Sequence, residues 1–130
     1  MDVSRSWTPV VLDAEFPPPA GAYSPAVRAG GLVFVSGQVP KDPRTGAIVG
    51  TDVKEQTKQV LANAERALAA AGATLHDVVS VTAYLARMED WSDFDETYRA
   101  ILRPPWPARA TVGAELHGFL VEISLIAAVR

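Results

Sequence analysis

DVKEQTKQVLANAERALAAA, running from Asp52 to Ala71, spells out one amphipathic helix. Val53, Val60, Ala64, Ala67 and Ala71 recur at helical spacing, and Leu61 and Leu68 widen the same apolar face. Lys54, Glu55, Lys58, Glu65 and Arg66 fill the opposite side. Asp52 stands where a side-chain oxygen can accept from the first free N–H groups, with Glu55 three residues on as in a capping box. Gly72 supplies the stop, because glycine enters the left-handed region without strain. The alanines on the apolar side leave little bulk, which predicts close packing against a sheet.

Strands are legible on both sides of this helix. Upstream, Ala26–Ala29 and Leu32–Ser36 are β-rich runs joined at Gly30-Gly31, and paired glycines supply the positive φ of a tight hairpin turn. A possible further strand lies at Thr8–Leu12. Phe16-Pro17-Pro18-Pro19 is an extended connector, since proline has no N–H to give a helix or a central strand. The turn cluster Pro40-Lys41-Asp42-Pro43-Arg44-Thr45-Gly46 leads into a short expected strand, Ala47-Ile48-Val49. Downstream, Val78–Leu85 alternates and is rich in β-branched residues. A second helix is predicted over Ser92–Leu102, with Phe94, Tyr98, Ile101 and Leu102 as its stripe and Pro104-Pro105 as its end. Strands near Arg109–Ala114 and Leu120–Ala128 close the chain. This order predicts a two-layer α+β domain over residues 1–130, with its core at about 8–128 and both helices on one face of a mixed sheet. A sheet covered on one side only leaves an apolar face that commonly meets another subunit.

Composition narrows the function classes. The net charge of −3 argues against a nucleic-acid partner, which usually needs a basic face. The absence of cysteine excludes disulfides, thiolate nucleophiles and Cys-ligated zinc. His76 and His117 are far apart and form no HxH or HxxxH pattern, so no metal site is expected. Asp2, Arg5, Asp13 and Glu15 interrupt the amino-terminal apolar residues, so no signal peptide is expected there. The apolar runs are too short to cross a bilayer, and a cytoplasmic protein without a membrane partner is expected.

The polar residues able to carry chemistry sit at expected strand ends and turns. Arg109, entering a strand after Pro107, is either a solvated or salt-bridged surface residue or a planar fork for a substrate carboxylate. Glu122 interrupts the apolar run Phe119-Leu120-Val121-Glu122-Ile123. It is either an outward-facing strand residue or a carboxylate that positions and deprotonates a water. Ser36 and Gly37 end an apolar strand as a turn pair, and no GxSxG frame makes Ser36 a nucleophile. Tyr23 is a packing aromatic or a site phenol, and Thr111 offers a hydroxyl two residues beyond Arg109. Arg28, Lys41 and Arg44 read as scattered turn charges.

Four separated motifs, in order, resemble the Rid family (YjgF-type, also labelled endoribonuclease L-PSP). They are Gly21-Ala22-Tyr23-Ser24-Pro25-Ala26-Val27, Leu32-Val33-Phe34-Val35-Ser36-Gly37-Gln38-Val39-Pro40, Pro107-Ala108-Arg109-Ala110-Thr111-Val112, and Leu120-Val121-Glu122-Ile123. The turn at Asp42–Gly46 and Glu55-Gln56-Thr57 extend the resemblance over nearly the whole chain. It implies a chorismate-mutase-like fold and a homotrimer whose sheets form a central barrel, with sites in clefts between subunits. It implies hydrolytic deamination of enamine and imine intermediates such as 2-aminoacrylate to 2-keto acids and ammonia, without cofactor or metal. The expected partner is therefore a small imine or keto-acid carboxylate. On this resemblance Arg109 binds that carboxylate, Glu122 orients the water, Tyr23 assists, and Ser36, Gly37 and Thr111 line the ligand.

Two departures from the family pattern bear on substrate. Thr111 stands where many members have cysteine, and Asp95 where several have asparagine. The segment Gly113–Phe119 also differs and is expected to edge the pocket. The competing reading is a non-catalytic trimeric binder of small carboxylates or a regulatory protein. Ribonuclease activity fits poorly with the acidic balance.

Overall fold

The computed structural model describes residues 4–13 and 17–130. Six strands form one sheet: β1 (Trp7–Val10), β2 (Ala26–Ala29), β3 (Leu32–Gln38), β4 (Val78–Leu85), β5 (Ala108–Gly113) and β6 (Val121–Ala128). Two helices, α1 (Val53–Ala70) and α2 (Trp91–Leu102), complete the α+β architecture. The strand order is β1-β2-β3-β6-β4-β5. Every pairing is antiparallel except β4 with β5, which is parallel and contains α2 in its crossover.

Strand burial follows the side-chain period of two. Along β6, Val121, Ile123, Leu125 and Ala127 are buried, whereas Glu122, Ser124 and Ile126 are only partly covered. Val33 and Val35 of β3 pair with Ala127 and Leu125, and Val81 and Ala83 of β4 pair with Leu125 and Ile123. These residues form the floor on which α1 lies, with Val60, Leu61, Ala64, Ala67 and Leu68 buried above it. Phe94 and Tyr98 of α2 join the same core. Each fully buried Leu, Ile or Phe contributes about 1.5–3 kcal/mol relative to exposure.

Both helices cover one face, as the alanine-rich stripe predicted. The opposite face carries Trp7, Val27, Leu32, Phe34, Ile126, Tyr84 and Val112, with no described element packed over it. Trp7, Leu32, Phe34 and Val112 are exposed there.

Several local expectations are refined. The helix begins as foreseen, with the Asp52 carboxylate accepting from Glu55 N at 2.9 Å. A reciprocal capping box forms elsewhere, between Thr74 and Asp77, around a short 3-10 turn at Leu75–Asp77 that the periodicity did not reveal. Ala47-Ile48-Val49 is not a strand. Ile48 makes a single antiparallel bridge to Lys41, and the Asp42 side chain accepts from Arg44 N and Thr45 N, so the segment closes on itself as a turn. The possible strand at Thr8–Leu12 is β1, shifted one residue forward and ended before Val11. Arg28 is no idle turn charge: its guanidinium donates to Ala71 O at 2.9 Å and ties β2 to the end of α1. Of the expected connector, Pro17–Pro19 are described and Phe16 lies outside the described residues. Asp2 and Glu15 lie outside them too.

The cores of α1 and β6 are joined by one buried amide. Gln56, 4% exposed, donates to Gly50 O at 3.1 Å and accepts from Leu120 N at 2.7 Å. This bond sets where β6 starts, and therefore where Glu122 stands.

Candidate active site

The sheet divides the expected site residues into two groups. Tyr23, Ser36, Gly37 and Glu122 belong to the bare face. Ser36 Oγ donates to Ser24 O at 2.6 Å, and Ser36 N donates to Pro25 O at 3.0 Å, so β3 holds the Tyr23-Ser24-Pro25 turn beside it. Tyr23, more than half exposed, opens with Trp7, Val27, Phe34 and Ser36 onto a broad hollow of about 650 Å³.

Glu122 and Gly37 are in direct contact. The β3–β6 ladder slips register between Val35 and Gln38, and this bulge turns Gly37 beneath the Glu122 side chain. A Cβ at position 37 would stand 3.0 Å from Glu122 Cδ and closer still to the carboxylate oxygen. Glycine is required here by close approach, not by an unusual φ. Glu122 makes no hydrogen bond or salt bridge among the described residues. Burial pushes its carboxyl above the ordinary value of 4.5, with the charge of His117 acting in the opposite direction. A partly desolvated, unpaired carboxylate with a raised proton affinity suits a general base.

Arg109 and Thr111 lie on the helix face. In the parallel β4–β5 ladder Arg109 is level with Val81 and Thr111 with Ala83, both core residues. The Arg109 guanidinium lies over the rings of Tyr98, Phe94 and Trp91, at 4.6, 5.3 and 5.6 Å from their centroids. Its Nη2 donates to Asp95 Oδ1 at 2.9 Å. Only 16% of its side chain is exposed, so of the two plain readings the arginine is salt-bridged and not solvated, and as a clamp it is already engaged by Asp95. Around it lies a cavity of about 320 Å³ lined by Trp91, Asp95, Tyr98, Arg99, Trp106 and Arg109. On this side Thr111 Oγ1 is buried with no hydrogen-bond partner among the described residues, while the Tyr98 hydroxyl is buried beside the Arg109 guanidinium. Within one chain, therefore, Arg109 and Glu122 do not converge. Glu122 is level with Tyr84 on β4, and Arg109 is one strand farther out on the other face.

The residues around Arg109 were not legible as a group. Asp95 stood out as a departure, and Tyr98 as a core position, but their convergence on Arg109 comes from α2 crossing β5. The one local signal was the four-residue spacing of Asp95 and Arg99, which does give an ion pair at 3.2 Å.

Comparison with known proteins gives this geometry a context. A family model described as endoribonuclease L-PSP matches residues 14–129. The chain belongs to this family. Within the endoribonuclease L-PSP family, which is the YjgF or Rid family of the sequence resemblance, a RutC family protein of Pyrococcus horikoshii is 42% identical over 91% of this chain and 95% of its own. The mouse protein named 2-iminobutanoate/2-iminopropanoate deaminase is 38% identical over 91% of this chain and 89% of its own. Among solved structures, the YjgF gene product of E. coli superposes with a TM-score of 0.85 at 30% identity, covering 95% of this chain and all of that one. The α+β fold of one sheet and two helices is thus a fold of this family. Among the described residues no helix is long and apolar enough to cross a membrane, and no three His, Asp or Glu side chains gather as metal ligands.

Proposed function

We propose that the chain hydrolyses small 2-imino acids to 2-keto acids and ammonia, in the cytoplasm, at sites shared between neighbouring copies in a trimer. The observation that carries this reading is the Glu122 carboxylate over Gly37: half-buried, unpaired, and facing the apolar side of the sheet that another chain would cover. The deaminase relatives support the substrate class. The division of the sheet supports the assembly, because Arg109 of one chain can meet Glu122 only if the latter belongs to a neighbour. Arg109 lies on β5, an edge strand, where an adjoining copy can approach it.

In such a cleft Arg109 holds the substrate carboxylate by charge-assisted hydrogen bonds. Glu122 takes a proton from water as the water oxygen bonds to the imine carbon. The C=N π electrons move to nitrogen, which takes up a proton. The resulting carbinolamine loses ammonia as the C–N bond breaks, the hydroxyl gives up its proton, and the keto acid remains. An enamine substrate first takes a proton at its terminal carbon to become the imine. Tyr23 hydrogen-bonds the water or the substrate in this reading, while Ser36, Gly37 and Thr111 line the ligand. Positioning and electrostatics supply the acceleration, with no covalent intermediate.

The test is to generate 2-aminoacrylate from serine with a pyridoxal-phosphate-dependent dehydratase and to follow decay of the imine. Wild type should accelerate decay, and Arg109→Ala and Glu122→Gln should each remove most of the acceleration, on the order of a hundredfold. Keto-acid binding without turnover would favour the non-catalytic binder and overturn the reading.

A further inference from the structure

We infer that Asp95 sets which substrate charges the site accepts, admitting imines with one carboxylate and disfavouring those with a second acidic group. The inference rests on Arg109 being the carboxylate holder proposed above.

Asp95 bridges two arginines. Its Oδ1 accepts from Arg109 Nη2 at 2.9 Å and its Oδ2 accepts from Arg99 Nη2 at 3.2 Å. Arg99 lies over the Trp106 ring at 5.4 Å, and Arg109 over Tyr98. Two cations thus share one anion between aromatic walls, and the group has a net charge of one positive. A single substrate carboxylate completes the balance. A second acidic group would find no cation left over and would face the Asp95 carboxylate.

The carboxylate remains charged under ordinary conditions. Burial alone would raise its proton affinity, but the hydrogen bonds and charges of Arg109 and Arg99 together hold it below the ordinary value of 3.8. With 17% of the side chain exposed, its field reaches the cavity with less screening than a surface charge has. Asp95 has two separable effects on Arg109. One is positional, because either a carboxylate or a carboxamide oxygen can receive Nη2. The other is its charge, which only the carboxylate carries.

The test compares 2-iminopropanoate with 2-iminosuccinate, each made in situ from its amino acid by a flavin-dependent oxidase, on wild type, Asp95→Asn, Asp95→Ala and Arg109→Ala. Wild type should prefer the monocarboxylate. Asp95→Asn keeps an oxygen for Arg109 and removes the charge. It should raise kcat/KM for 2-iminosuccinate relative to 2-iminopropanoate roughly five- to tenfold, as expected for two unit charges about 8 Å apart at intermediate dielectric. The change in the ratio should appear mainly in KM. Asp95→Ala should raise KM for both substrates. An unaltered substrate ratio in Asp95→Asn, or equal behaviour of the two Asp95 variants, would overturn the inference and leave Arg109's role standing. Full turnover in Arg109→Ala would overturn both.

Discussion

Glu122 stands between Val121 and Ile123, two residues with no exposed surface, and its own side chain looks out from the other face of β6. That alternation was readable in the sequence, as was the oddity of one acid in an apolar strand. What could not be read was the slip in the β3–β6 register that brings Gly37 under the carboxylate, because it depends on pairing between residues far apart in the chain. The raised proton affinity has two consequences. The base form develops only above the ordinary carboxylate value of 4.5, so kcat/KM should fall on the acid side with a midpoint above it, after correction for uncatalysed imine decay. Folded Glu122 also holds its proton more tightly than the unfolded chain does. Its contribution to stability is therefore full below 4.5 and is lost as pH rises through the folded value. Glu122→Gln should unfold at higher temperature than wild type at neutral pH while losing activity, which calorimetry and the imine assay can check together. Gly37→Ala should keep the fold by circular dichroism yet lose at least about tenfold in activity, because the carboxylate must move aside and small displacements of a catalytic group are costly.

At the scale of elements, α1 was the most legible part of the chain, since its periodicity, cap and stop all agreed. The strand expected at 47–49 shrinks to one bridge: Val49 N still donates to Pro40 O and Asp42 N to Ala47 O, but Ala47 N is taken by Thr45 Oγ1 and the pairing goes no further. The tie from α1 to β6 through Gln56 was invisible: a glutamine among apolar helix positions does not announce a partner 64 residues away. Gln56→Ala leaves Leu120 N–H and Gly50 C=O without their partner and should destabilise the protein by about 1–3 kcal/mol. Urea unfolding would measure that. A loss of kcat/KM beyond the loss of folded protein would show that the start of β6 also positions Glu122. The contact between α2 and β5 follows the same lesson, as Asp95 and Arg109 meet only because the parallel crossover lays the helix over the edge strand.

For the whole molecule, the two-layer α+β arrangement and the uncovered face followed from the order and polarity of the elements. The placing of Arg109 and Glu122 on opposite faces did not, because alternation places residues on faces only once the register is known. If each cleft takes Arg109 from one copy and Glu122 from the next, Arg109→Ala and Glu122→Gln chains unfolded together and refolded as a mixture should regain activity. In a cyclic trimer every mixed assembly contains one intact pair, so equal mixing should restore about a quarter of the wild-type sites. Either variant refolded alone should stay inactive. No recovery in the mixture, with mixed assemblies confirmed by mass spectrometry, would mean that the two groups act within one chain.

The sheet that separates Arg109 from Glu122 also separates folding from function. If the site is shared between copies as proposed, a newly made chain would finish its core and still be chemically silent until it finds company. Dilution should switch the protein off without unfolding it, and its output in a cell should climb more steeply than its abundance at the low end of expression.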